Sequence, residues 1–507
     1  MTMTTDYIKE IENSNVYDIA VKTPVTRLQK ISDKFKNNIF LKREDMQSIF
    51  SFKCRGSYNK ISNLEEEKKK SGIVAASAGN HAQGVALASQ KLGIDAIIVM
   101  PVTTPSIKVQ SVKNFGVKVI LYGDSFDEAY EYALELSESQ NRVFIHPFDD
   151  PYVIAGQGTI ALEIIDSFKE DIDIFFIPVG GGGLIAGMST YIKHRMPDAK
   201  VIAVESEDAP TLHDAIAADR RVELDQVGLF VDGCAVKKIG EETFRLSKKY
   251  VDDTILVSID ETCAAIKDIY EDTRVLAEPA GALSIAGMKK YLNKNNIQGK
   301  NIITINSGAN LNFDRLRHVT ERSEVGEGKE ILLAVTIPEE SGSFKNFCKL
   351  IGKRSISEFN YRYSKSDYAN IFVGIKAEDI ENDKIEILKN LESNGYSYVD
   401  LTDNEVAKLH LRYMIGGTSN EMVNEKVFRF EFPERPGALL NFLEKMKKGW
   451  NISLFHYRNH GSAFGRVFIG ISSKEDFNEN DLISFLDDIG YKYHEESNNP
   501  AYTSFLK

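Results

Sequence analysis

Ile174-Phe175-Phe176-Ile177-Pro178-Val179-Gly180-Gly181-Gly182-Gly183-Leu184 reads as a buried strand that stops at glycine and turns directly toward a helix. An apolar run of this kind, without alternation, suits a strand covered on both faces. Four glycines in succession let the backbone approach a ligand closely, and their N–H groups can cradle a phosphate. A flexible linker is the plain alternative, but linkers are not normally preceded by such a strand. The run lacks the Lys-Ser/Thr ending of a nucleotide P-loop and the GxGxxG context of a dinucleotide fold. It points to a monophosphate with no nucleotide attached.

Working outward, the same texture fills residues 25–310. Short apolar runs (73–76, 96–100, 117–122, 201–204 and 302–305) alternate with helix-length amphipathic stretches such as 105–115 and 126–138. Parallel strands joined by crossover helices produce this pattern, so the region reads as α/β in two lobes.

Three further segments make sense at the same cofactor. In Ser51-Phe52-Lys53-Cys54-Arg55-Gly56, a lysine follows an aromatic residue at the start of a helix-like stretch. Such a lysine can form a Schiff base with an aldehyde cofactor. A lysine taken alone is most often a surface residue; the company of Lys53 is what singles it out. Ser77-Ala78-Gly79-Asn80-His81 lies between the strand-like 73–76 and a helix-like stretch. Free N–H groups there suit a substrate carboxylate, with Ser77, Gly79, Asn80 and His81 as candidate contacts, and the Asn80 amide can donate to a phenolate oxygen. Asn306-Ser307-Gly308-Ala309-Asn310 follows the strand-like 302–305. The Ser307 hydroxyl can bond a pyridine nitrogen without supplying the negative charge of an aspartate, making the ring a milder electron sink. A strand-end turn would explain this last segment equally well on its own.

Around Leu316 to Glu330 the sequence becomes polar and glycine-containing, which suits a connector. Beyond it the chain repeats itself at a spacing of roughly 95 residues. Ile337-Pro338-Glu339 with Gly342 and Phe347 is echoed by Phe432-Pro433-Glu434 with Gly437 and Phe442. Phe359-Asn360-Tyr361-Arg362 is echoed by Phe455-His456-Tyr457-Arg458. Strand, glycine turn, helix, strand, strand is the order in each copy, which resembles the ferredoxin-like unit of ACT-type amino-acid-sensing domains.

Length and composition agree with several folded domains: 507 residues, 42% hydrophobic and 27% charged, argue against extensive disorder. A net charge of −12 spread along the chain gives no footprint for nucleic acid or an anionic membrane. Cys54, Cys234, Cys263 and Cys348 lie far apart, so neither a disulfide framework nor a metal site is expected. The polar N-terminus and the lack of a long apolar stretch lead to a cytoplasmic reading.

Together SFKCRG, SAGNHAQG, PVGGGGL and NSGAN, in this order and spacing, resemble the fold-type II pyridoxal-phosphate enzymes, and closely the biosynthetic threonine ammonia-lyases. Segments 42–45, 148–150, 232–237 and 278–281 also match, and the cofactor residues show no departure from the family pattern. The resemblance implies a two-lobed α/β catalytic domain over residues 1–320 and ACT-like modules over 331–403 and 426–497. It implies that Lys53 carries pyridoxal 5'-phosphate, Phe52 packs on its ring, Asn80 meets the ring hydroxyl, Gly180 to Leu184 hold the phosphate and Ser307 faces the pyridine nitrogen. L-Threonine would give 2-oxobutanoate and ammonia, the committed step toward isoleucine, with L-serine as a second substrate. Feedback inhibition by isoleucine opposed by valine, and a homotetramer, follow from the same resemblance. Tyr361 and Tyr457 are the candidate effector contacts, since amphipathic side chains suit a small aliphatic amino acid; packing within each module is the even alternative. A serine dehydratase or racemase is the nearest rival, and a non-catalytic amino-acid sensor is a distant one.

Overall fold

The structure, a computed structural model, describes residues 5–123, 125–228, 230–326, 329–362, 367–404, 424–433, 437–458, 464–473 and 478–498. Glu434 of the second repeat copy, and Glu327 and Gly328 of the expected connector, lie outside them. The chain divides into two compact units, Met1–Gly326 and Glu327–Lys507.

In the first unit, β1 (Val25–Arg27), β2 (Asn38–Arg43), β3 (Ile73–Ala76), β4 (Ala96–Met100) and β5 (Lys118–Leu121) come first in the chain. They are followed by β6 (Val143–Phe144), β7 (Ile174–Pro178), β8 (Lys200–Ser206), β9 (Asp253–Val257) and β10 (Asn301–Asn306). They form two sheets, β1-β2-β10-β7-β8-β9 and β5-β4-β3-β6. Every pairing is parallel except β1 with β2.

The near-continuous apolar runs are explained by what each strand feeds. Ile73 and Ala75 enter one core of the small sheet, while Val74 and Ala76 enter the core on its opposite face. In the large sheet Ile174 and Phe176 pack on one side, and Phe175 and Ile177 on the other. With both faces covered, alternation disappears from the sequence.

The polar stretch 316–330 opens as a helix, Leu316–Gly326, at whose end the two units divide. It buries Val319 in the large-sheet core and pairs Arg322 with Asp260 of the helix Ile259–Thr273. Its charges lie on a helix whose apolar contribution is too small to stand out in the sequence.

The second unit is one antiparallel sheet of β11 (Glu330–Pro338), β12 (Ile356–Arg362), β13 (Tyr368–Lys376), β14 (Ser397–Asp400), β15 (Glu425–Pro433), β16 (Trp450–Arg458), β17 (Phe464–Ser473) and β18 (Lys492–Glu495). The order β14-β11-β13-β12-β16-β17-β15-β18 is a mirror about its middle, as duplication requires. The middle is the repeated motif itself: Phe359 pairs with Tyr457, Asn360 with His456 and Tyr361 with Phe455. Each copy's first helix (Ser343–Ile351, Ala438–Lys445) starts at a glycine in the left-handed region, Gly342 at φ +97° and Gly437 at φ +83°. A side chain there would be strained, which is why the glycine repeats. Phe344 packs against Phe359 of its own copy and Phe455 of the other, centroids 4.9 and 5.3 Å apart, so the two copies share one core.

Candidate active site

The parallel sheets end at loops that converge on Lys53. The chain before it is tied to the end of β10: Ser51 forms a bridge with Gly308, and the Phe52 N–H donates to the Ser307 carbonyl at 3.2 Å. SFK and NSGAN, over 250 residues apart in sequence, are thus side by side. Lys53 opens the helix Lys53–Ser62, and its Nζ donates to the Pro147 carbonyl at 3.1 Å. Burial pushes the amine down to about 8, with Cys234 and Glu278 opposing the shift. The Phe52 ring lies 5.3 Å from Nζ by its centroid and packs toward the large-sheet core.

β3 delivers the second loop. Ser77 Oγ accepts from the Gly79 N–H at 3.2 Å, and the helix Asn80–Leu92 begins at once. No atom lies within 4 Å of where a Gly79 Cβ would stand, so this turn faces open space. The His81 ring turns inward: Nε2 meets the Ile145 carbonyl at 2.9 Å and Nδ1 the Ser57 hydroxyl at 3.4 Å. Burial, and then nearby Lys53, bring its pKa down to about 3, so the ring is neutral and structural, leaving its backbone at the helix start. The Asn80 amide donates to Glu278 Oε1 and accepts from Asn310 Nδ2, both at 2.6 Å.

β7 delivers the glycine run. Its carbonyls turn inward: Thr211 and Thr243 hydroxyls donate to Gly180 and Gly181 at 3.3 and 2.8 Å. The N–H groups of Gly180 to Leu184 have no acceptor among the described residues. The opposite side is tightly packed. A Cβ at Gly181 would overlap the Phe148 ring, and one at Gly180 would stand 2.9 Å from Cys234 Cα. Gly182 is left-handed at φ +91°. The sequence reading explained these glycines by ligand approach alone; close packing on Phe148 and Cys234 is a second reason. Ser307 is buried, and its hydroxyl has no partner among the described residues.

Unpaired N–H donors beside a half-buried amine with no carboxylate bonded to it fit an aldehyde that carries a phosphate. Gly180 to Leu184 would hold the phosphate, and Lys53 the aldehyde.

Sequence reasoning missed several supports. Pro147 and Phe148 hold Lys53 and the glycine run, and Asp149 caps the helix Glu241–Tyr250 through three backbone N–H groups. Behind Lys53, Arg55 bonds Glu44 at 2.8 Å and Glu163 at 2.6 Å, and Lys42 bonds Glu163 at 2.6 Å, all buried. The signal available was the matching of segments 42–45, 148–150 and 278–281; charges ending a strand-like run were its visible part.

In the second unit the two candidate tyrosines part company. Tyr457 lines a small groove with Ile351, Arg354, Gly437 and Leu439. Tyr361 is buried and donates to Glu339 Oε1 at 2.8 Å.

Residues 16–308 match the family described as pyridoxal-phosphate dependent enzyme, and fold and site define that class. Residues 321–411 and 416–506 each match the C-terminal regulatory domain of threonine dehydratase. The biosynthetic L-threonine dehydratase of Pasteurella multocida is 52% identical over 505 residues, covering 99% of this chain and 97% of that protein. That of Escherichia coli is 51% identical over 501 residues, covering 99% and 97%. A solved structure of processed threonine deaminase isoform 2 from Solanum lycopersicum superposes with a TM-score of 0.62 at 48% identity, covering 62% of this chain and 92% of that one. The chain belongs to the biosynthetic threonine dehydratase family: a catalytic domain using pyridoxal phosphate, followed by two ACT-like regulatory modules.

Proposed function

We propose that this protein converts L-threonine to 2-oxobutanoate and ammonia, with L-serine as a slower second substrate. We assign residues 1–320 to catalysis and 331–403 and 426–497 to regulation. The observation that carries the reading is the setting of Lys53: a half-buried amine bonded to one carbonyl, between unpaired backbone donors, in a chain whose relatives are named for threonine dehydration.

Bound pyridoxal phosphate supplies an electron sink for the charge left at the substrate's α-carbon. The free N–H groups at the start of the helix Asn80–Leu92, with Ser77 and Gly79, take the substrate carboxylate. Lys53, nearer neutrality than an ordinary lysine, removes the α-proton, and Pro147 holds its Nζ in place. Asn80 donates to the ring oxygen, and Ser307 gives the pyridine nitrogen an uncharged partner. The substrate loses its hydroxyl as water; the released enamine regains one water on hydrolysis, freeing ammonia.

For regulation, the groove lined by Tyr457 takes isoleucine, with valine opposing it, and the protein works as a homotetramer. Tyr361, held in the core, contributes through packing. Among the described residues no helix is long and apolar enough to cross a membrane, and we propose the cytoplasm as the place of action. A kinetic comparison of L-threonine with L-serine, including an assay for D-serine, tests the substrate assignment. Threonine should show the higher kcat/KM; D-serine as the main product would refute it. Inhibition by isoleucine that weakens in Tyr457→Ala tests the effector assignment, and unchanged inhibition refutes it.

A further inference from the structure

Glu278 has no part in the chemistry above, yet three motifs are built around it. Its carboxyl is buried and accepts the Asn80 Nδ2 hydrogen bond at 2.6 Å. Its backbone N–H donates to the Gly308 carbonyl at 3.1 Å. A Cβ at Gly308 would overlap Glu278 Oε1, so the glycine of NSGAN clears the space this carboxyl fills. Three residues on, a Cβ at Gly281 would overlap the Gly308 carbonyl and Asn306 Oδ1, so the glycine of EPAG brings its helix onto the same turn.

The bonding fixes the direction of the Asn80 amide. Asn310 Nδ2 donates to Asn80 Oδ1 at 2.6 Å and to the Ile49 carbonyl at 2.8 Å. Asn80 Oδ1 is thereby held as the acceptor end, and one Nδ2 hydrogen goes to Glu278. An amide can flip end for end; with an acid as its acceptor on one side and an amide donor on the other, it cannot do so without losing both bonds. The second Nδ2 hydrogen is left without a partner among the described residues.

We propose that Glu278 is a positioning residue, holding Asn80 so that its remaining hydrogen is presented to the ring oxygen of the cofactor. This rests on the reading of Asn80 as the ring-hydroxyl contact. The surroundings suit such a role. Burial and then Asp232 push the Glu278 acid up to about 7, against Asn80 and Lys108, and Cys234 and Lys53 lie close by. A carboxyl in that range accepts from Asn80 without placing a full charge beside the ring oxygen.

The test strips full-length protein of cofactor and measures the dissociation constants of pyridoxal phosphate and of 3-deoxypyridoxal phosphate, which lacks the ring oxygen. A donated bond to that oxygen is worth about tenfold in affinity. Wild type should prefer pyridoxal phosphate by about that factor. Asn80→Ala and Glu278→Ala should each remove the preference, their combination should remove no more, and Glu278→Gln, which keeps an accepting oxygen, should retain it. Should the alanine variant not fold, Glu278→Asp withdraws the oxygen by one methylene and should also lose the preference. Preference kept in Glu278→Ala or Glu278→Asp while Asn80→Ala loses it overturns the proposal alone, as does its loss in Glu278→Gln. Preference kept in Asn80→Ala overturns the ring-contact reading and the proposal with it.

Discussion

The interior of residues 1–326 adds a network of buried charges to its aliphatic packing, whereas that of residues 327–507 adds a cluster of rings. In the first, Lys42, Glu44, Arg55 and Glu163 are buried together, and half-buried Lys53 and buried Glu278 stand in sequence motifs of the cofactor site. In the second, Phe344, Phe359, Phe430, Phe442 and Phe455 form a ring cluster among the Ile, Val and Leu side chains of the core. Burying charge is expensive, and an apolar core of equal volume is often as stable or more so. The charged interior therefore marks where the fold serves chemistry, fixing Lys53 from behind. The ring core serves the duplication, since aromatic packing across the β12–β16 seam makes two small copies into one unit.

Arg55→Met should have the largest effect on this contrast. It leaves Glu44 and Glu163 buried without their guanidinium, and the first unit should lose about 3–5 kcal/mol. Calorimetry should show its transition falling while the other holds; a transition that does not move would mean the network is not structural. Phe344→Ala is the counterpart in the ring core. A deleted phenyl costs about 3–5 kcal/mol, at the lower end here because neighbouring rings can close in. The second unit's transition should fall, and both copies should melt together, since Phe344 belongs to both; separate melting of the copies would break the shared-core claim.

Gly181→Ala should cost about 1–3 kcal/mol through overpacking on Phe148, together with a loss of cofactor affinity. Equilibrium dialysis against pyridoxal phosphate checks the second part, and unchanged affinity would separate the glycine run from phosphate binding.

The smallest effect concerns Glu339, the half-buried acid bonded by Tyr361 of the core. Burial raises Glu339 to about 7, against the Tyr361 hydroxyl that lowers it. The folded unit thus binds this proton more tightly than the unfolded chain, whose carboxyl titrates near 4.5. That contribution to stability is fully present below pH 4.5 and is lost as pH rises through 7. Glu339→Gln should flatten the fall in the second unit's melting temperature over this window; an unchanged slope would assign the titration elsewhere.

The central parallel strands were legible because they are buried on both faces, leaving unbroken apolar runs at 73–76, 96–100 and 174–179. The duplication was legible because Gly342 and Gly437 must be left-handed and the Phe359 and Phe455 segments form the seam. The helix Leu316–Gly326 was not, since among its described apolar side chains only Val319 is buried. Of the site, Lys53, Asn80, the glycine run and Ser307 stand in recognisable motifs. Glu278, Phe148 and the Lys42, Glu44 and Arg55 side chains stand in matching segments too, but their roles act across long sequence separations, and Pro147 and Glu163 stand in no such segment. Nor could the sequence divide Tyr361 from Tyr457: equivalent in the repeat, they differ in whether the fold buries them or leaves them on a groove.

The most direct measurement is release of 2-oxobutanoate from L-threonine by cofactor-loaded protein, beside a Lys53→Ala variant loaded in the same way. Turnover in the wild type and a loss of roughly 10³-fold or more in the variant is the predicted result. Comparable turnover in both, or none from L-threonine in the wild type, would contradict the assignment of Lys53 as the residue on which the chemistry depends.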